Sequence, residues 1–143
     1  MIITNKAYKQ ICEIANSNSN EIGGILGSAK DLTVTDAVAD TTNTDKTCKF
    51  IYEPNVDYLN EIIEEWCSKN ISFVGIFHTH FCGSKSLSSA DREYIRIIMN
   101  ILKTEVDFLY FPIYTLPNQI LNVHKAFFEN GELIISTDEL IIV

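Results

Sequence analysis

Long apolar runs, basic clusters and closely spaced cysteines are all missing from this sequence, and each gap removes a class of function. Nowhere do the ~20 continuous apolar residues of a membrane span occur, and the opening residues 1–17 lack a basic stretch followed by a long apolar run. A soluble, cytoplasmic protein is the expectation. Only 11 basic residues stand against 19 acidic ones, for a net charge of -8, and no Lys/Arg cluster offers a stripe to neutralise phosphates. Nucleic acid is therefore not an expected partner. Cys12, Cys48, Cys67 and Cys82 are scattered, without the CxxC spacing of a zinc knuckle or the density of a secreted disulfide scaffold, so reduced thiols are expected.

What remains is an ordinary globular composition, 46% hydrophobic and 21% charged, with no segment resembling a disordered tail. A chain of 143 residues suffices for one sizeable core, and a single domain over 1–143 is expected. A (β/α)8 barrel, which takes roughly 250 residues, is excluded by length.

Hydrophobic spacing predicts an amphipathic helix over 5–16, through Tyr8, Ile11, Cys12, Ile14 and Ala15, broken by the polar NSNSN. EIGGILGS and DLTVTDAVAD then read as a hairpin, TTNTDKTCK as a loop, and FIYEP as a further short strand stopped by Pro54. Val56, Leu59, Ile62, Ile63 and Trp66 recur at three- and four-residue steps and predict a second helix from Asn55 to about Lys69. ISFVGIFHTH has the apolar, β-forming character of a central strand. A third helix is predicted from Ser88 to about Leu102, followed by strands in VDFLYFPIYTL, QILNVHKAFFE and ELIISTDELIIV, the last after the turn dipeptide Asn130-Gly131. This order predicts a mixed sheet with helices packed against it.

The chemistry concentrates in HTHFCGSKSLSSAD, residues 78–91. On a strand, residues two apart face one side, roughly 6.6 Å from each other, so His78 and His80 project together while Thr79 points away. Two such imidazoles suit one metal ion, although an isolated HxH is more often just a polar strand end. Ser88 with an acid three residues later resembles a capping box, which holds Asp91 rigidly in the first turn of a helix. A short strand-to-helix loop would bring that carboxylate beside the histidines. Two imidazoles and one carboxylate, with one position left for water, fit catalytic zinc, and the same set fits an iron(II) facial triad. Spacing alone leaves both open. It also does not choose Glu21 over Glu53 or Glu93 as a general base.

The run "HTH", seven residues, "S", two residues, "D" resembles the motif H-[ST]-H-P-x6-S-x-x-D of the JAMM (MPN+) metalloprotease family. NEIGGILGS is similar to that family's glutamate-bearing strand, and FVGIFHTH to its central strand. The likeness in element order runs from the first helix through at least residue 128. It implies an α/β (α+β) fold of MPN or cytidine-deaminase-like type, with a mixed, largely antiparallel curved sheet flanked by helices. It further implies one zinc ion per chain on His78, His80 and Asp91, with Glu21 as general acid/base and Ser88 stabilising the tetrahedral intermediate. The implied activity is that of a zinc metallopeptidase or isopeptidase. Its partner would be a protein substrate, cleaved at the C-terminal tail of a ubiquitin-like or sulfur-carrier protein. The small single-domain size is similar to that of prokaryotic members. Phe81 departs from the pattern, standing where the family carries proline. Non-catalytic scaffolds also use the fold, but would not need the full HxH…SxxD set. Cys82 is not required by the three-ligand set, and His124, within a strand, reads as structural.

Overall fold

The computed structural model describes residues 1–40 and 52–143. A short strand β1 (Ile2–Ile3) leads into helix α1 (Asn5–Asn16), whose N-cap Thr4 accepts the Ala7 N–H on its side-chain oxygen at 3.2 Å. The periodicity read for this helix is realised: Ala7, Ile11 and Ala15 are buried, with Tyr8, Cys12 and Ile14 beside them. Strand β2 (Gly23–Ser28) and strand β3 (Asp36–Ala39) then form the expected antiparallel hairpin. The second strand is shorter than DLTVTDAVAD, because Asp31 and Leu32 take positive φ and turn the chain instead of extending it.

Of the strand expected in FIYEP, Phe50 and Ile51 lie outside the described residues, and Tyr52–Pro54 are not strand; Tyr52 is tied by its side chain, as described below. Helix α2 (Val56–Ser68) begins at the N-cap Asn55, and β4 (Ser72–His80) and α3 (Ser89–Ile101) follow where the sequence places them. VDFLYFPIYTL is two strands, β5 (Phe108–Tyr110) and β6 (Ile113–Thr115), interrupted at Phe111 and at Pro112, which has no N–H to donate. Next come β7 (Ile120–Glu129) and β8 (Glu132–Asp138), joined by Asn130 and Gly131, both at positive φ as a tight hairpin turn requires. ELIISTDELIIV also contains a separate β9 (Ile141–Ile142), which pairs in parallel with β1.

The large sheet runs β3, β2, β4, the interrupted β5/β6, β7 and β8, antiparallel throughout except where β4 meets β5 and β6 in parallel. That parallel pair is joined by α3, a β-α-β crossover inside an otherwise antiparallel, mixed α+β domain. On one face α1 packs Ala7 and Ile11 against Leu26, Phe77 and Tyr114. On the other, α2 and α3 bring Leu59, Trp66, Ile95 and Met99 against Ile25, Ile76 and Ile113.

A bulge decides which face the histidines take. β4 pairs Gly75 with Leu26 but Phe73 with Gly27, so Val74 is an extra residue. Phe73 and Ile76 consequently share the α2/α3 face while Val74 and Phe77 join the α1 side. Continuing the alternation from Ile76, His78 and His80 emerge on the α2/α3 face. Gly75 allows the parallel neighbour to approach, since a Cβ there would lie 2.1 Å from the Tyr110 carbonyl oxygen. Among the described residues no helix is long and apolar enough to cross a membrane.

Candidate metal centre

The C-terminal end of β4 and the N-terminal end of α3 meet over one point. His78 Nε2 lies 2.9 Å from His80 Nε2; Asp91 places Oδ1 3.3 Å from the first and Oδ2 3.5 Å from the second. Two ligand atoms about 2.05 Å from a tetrahedral zinc ion would stand about 3.3 Å apart, so the three donors have the spacing of one coordination sphere. The His80 ring is oriented for a ligand as well. Its Nδ1 lies 2.9 Å from the Ser84 carbonyl oxygen, which only accepts, so Nδ1 carries a proton in every state; Nε2 donates to Asp91 when the ring is protonated and offers its lone pair to a ligand once it is neutral.

Asp91 is held by the capping box expected of SSAD. The Ser88 N–H donates to Asp91 Oδ2 at 2.7 Å, and Ser88 Oγ accepts the Asp91 N–H at 3.1 Å. Burial works against the Asp91 carboxylate, but hydrogen bonds from His78 and His80 overcome it and hold its pKa far below the usual range. The pairing with Asp91 in turn pushes the His80 imidazole up, against its burial.

Antiparallel pairing brings the start of β2 beside the end of β4, with Gly23 opposite His78. The preceding Ile22 is clamped by Thr79, which the histidine alternation turns to the opposite face. The Ile22 N–H donates to Thr79 Oγ1 at 2.9 Å, and the Thr79 N–H donates to the Ile22 carbonyl at 2.8 Å. Glu21, next in line, is thereby set within electrostatic reach of His78, His80 and Asp91. Burial pushes its carboxyl up, while the two histidines and a hydrogen bond from the Phe81 backbone N–H pull it down; burial prevails.

Contacts that spacing could not reveal complete the frame. The Tyr52 ring stacks on His78 with centroids 6.4 Å apart and planes 12° from parallel, and its hydroxyl donates to buried Asp40 at 2.8 Å. Gly23 leaves room for that ring, because a Cβ there would lie 2.4 Å from it. His124, expected to be structural, is buried on β7, where it donates from Nε2 to the Lys85 carbonyl at 3.0 Å and so ties down the loop after β4, and burial lowers its pKa. Cys82 is exposed in that loop and belongs to neither the ligand cluster nor its hydrogen bonds.

No family model matches the chain, and no curated protein matches it. Among solved structures, a protein from Desulfitobacterium hafniense determined in solution is 17% identical, with a TM-score of 0.67, over 100% of this chain and 93% of that one. A JAB1/MPN domain protein from Archaeoglobus fulgidus is 18% identical over 100% of this chain and 99% of its own, with a TM-score of 0.49. The likeness to the Desulfitobacterium protein establishes a shared fold and nothing finer.

Proposed function

We propose that this chain is an MPN-type zinc-dependent metallopeptidase or isopeptidase, hydrolysing a peptide or isopeptide bond at the C-terminal tail of a ubiquitin-like or sulfur-carrier protein. The observation that carries the reading is the convergence of His78 Nε2, His80 Nε2 and an Asp91 carboxylate at ligand spacing, with a second acid, Glu21, beside them but outside the cluster. A closed structural site usually takes four protein ligands; three leave a position for chemistry. A zinc ion held there supplies Lewis acidity towards water and towards the scissile carbonyl.

The protein's own groups divide the remaining work. Glu21, half-buried and raised in pKa, takes a proton from the attacking water and delivers it to the leaving amine. Ser88 accepts a backbone N–H in the capping box, which leaves its hydroxyl proton free to donate to the developing oxyanion. A tail laid along a strand edge would be held by main-chain hydrogen bonds.

The test pairs two variants, with metal content and cleavage of a ubiquitin-like fusion as readouts. Glu21→Gln is expected to retain about one zinc per chain and lose cleavage, whereas His80→Ala loses both. Iron in protein purified without added metal would favour a facial-triad enzyme. A fully folded protein that takes up no metal would leave the non-catalytic scaffold.

A further inference from the structure

A cavity of about 260 Å³ adjoins the metal centre, and His78 and Asp91 both line it. Ile76, Ile95 and Phe111, all buried, also line it, together with Tyr52 and Tyr94. The hydroxyl of Tyr52 is engaged by Asp40, and burial, with Asp40 nearby, pushes the Tyr94 hydroxyl up to about 12, so both tyrosines stay neutral. The exposed Ala90, in the first turn of α3, and the exposed Glu53 stand at the rim, so the Glu53 charge lies at the mouth and the apolar walls beneath it.

We propose that this cavity is a side-chain pocket of the substrate site, selecting a leucine- or phenylalanine-sized residue within one or two positions of the scissile bond. This rests on the hydrolase reading above. An apolar cavity of about 150 Å³ is enough to take up benzene, so the larger volume here accommodates one branched or aromatic side chain. It falls short of the ~300–1,000 Å³ of sites that enclose a whole small-molecule ligand. Because two metal ligands line it, its occupant is adjacent to the carbonyl being attacked. A glycine at that position would leave the apolar walls unfilled. The pocket therefore narrows the substrate to a tail, or an acceptor segment, that carries an apolar side chain on one side of the bond.

Metal chelation and pocket filling are separated by titration calorimetry of the zinc-supplemented protein with glycine, leucine and phenylalanine hydroxamates. All three carry the same chelating group. Leucine and phenylalanine hydroxamates are expected to bind about 10- to 100-fold more tightly than glycine hydroxamate, the range for burying such a side chain. Ala90→Phe, on an exposed position, is expected to erase that advantage while zinc content and glycine hydroxamate affinity persist. Equal affinities for the three compounds in the natural chain, or an advantage that survives Ala90→Phe, would overturn the pocket. If zinc and all hydroxamate binding are absent, the hydrolase reading fails instead, and NMR of the metal-free protein decides the pocket. Shifts at Ile76, Tyr94 and Phe111 with N-acetyl-leucinamide but not N-acetylglycinamide would uphold an apolar side-chain site; no such shifts would overturn it.

Discussion

Phe81 differs from the proline of the motif it resembles by one hydrogen that matters, the backbone N–H that bonds to Glu21. Phe81→Pro removes that donor without touching His78, His80 or Asp91. Zinc content is expected to be unchanged and kcat to fall about tenfold, the lower end for a hydrogen bond to a charged group because Glu21 is only half-buried. A variant with unaltered kcat would remove Phe81 from the positioning of Glu21. Thr79 clamps Ile22, the residue that follows this glutamate. Thr79→Val keeps the shape but leaves the buried Ile22 N–H without its side-chain acceptor, so a loss of about 1–3 kcal/mol is expected in urea unfolding. Cleavage should fall with it. Restoration of stability and turnover by Thr79→Ser would assign both effects to the hydroxyl.

At the level of elements, the proposed mechanism asks two tasks of one residue of α3. Ser88 caps the helix, and its hydroxyl proton is the one assigned above to the oxyanion. Glycine is nearly as good an N-cap as serine, within a few tenths of a kcal/mol, whereas alanine costs about 1 kcal/mol. Ser88→Gly is therefore expected to leave the melting temperature almost unchanged while kcat drops about 10²–10³-fold, the usual cost of one oxyanion donor. Full turnover in that variant would leave Ser88 with capping alone. The helices and the HxH…SxxD cluster were legible in the sequence because three- and four-residue periods, caps and i/i+2 parity are all local signals. β1 and β9 were not, since two-residue strands carry no period. The split of β5 from β6 was masked by apolar residues on both sides of Pro112. Val74 carries no mark of the bulge, which arises only from pairing with β2. The ties from Thr79 to Ile22, Tyr52 to Asp40 and His124 to Lys85 join residues far apart in the chain, beyond any spacing rule.

In the whole molecule, two apolar clusters on opposite faces of the sheet position the candidate ligands His78, His80 and Asp91 without help from a metal. His78 and His80 are each only 8% exposed at the end of a central strand. Unlike a zinc finger, whose fold depends on its ion, the metal-free chain is expected to stay folded at 25 °C. Zinc at a thousandfold excess over Kd would add about 4 kcal/mol, which at about 3 °C per kcal/mol raises the melting temperature by about 12 °C. The pH dependence follows from His80. Its folded pKa in the metal-free chain is raised, chiefly by Asp91, so the protonated pair stabilises that state below the unfolded value of about 6.5. This contribution is lost as pH rises through the folded pKa. Metal binding needs the neutral imidazole, so its contribution has the opposite slope and grows as the proton leaves. Calorimetric scans with and without zinc should therefore show a larger increment at pH 8 than at pH 6. An increment equal at both values would mean that no proton leaves His80 when the metal binds, and would take His80 out of the ligand set.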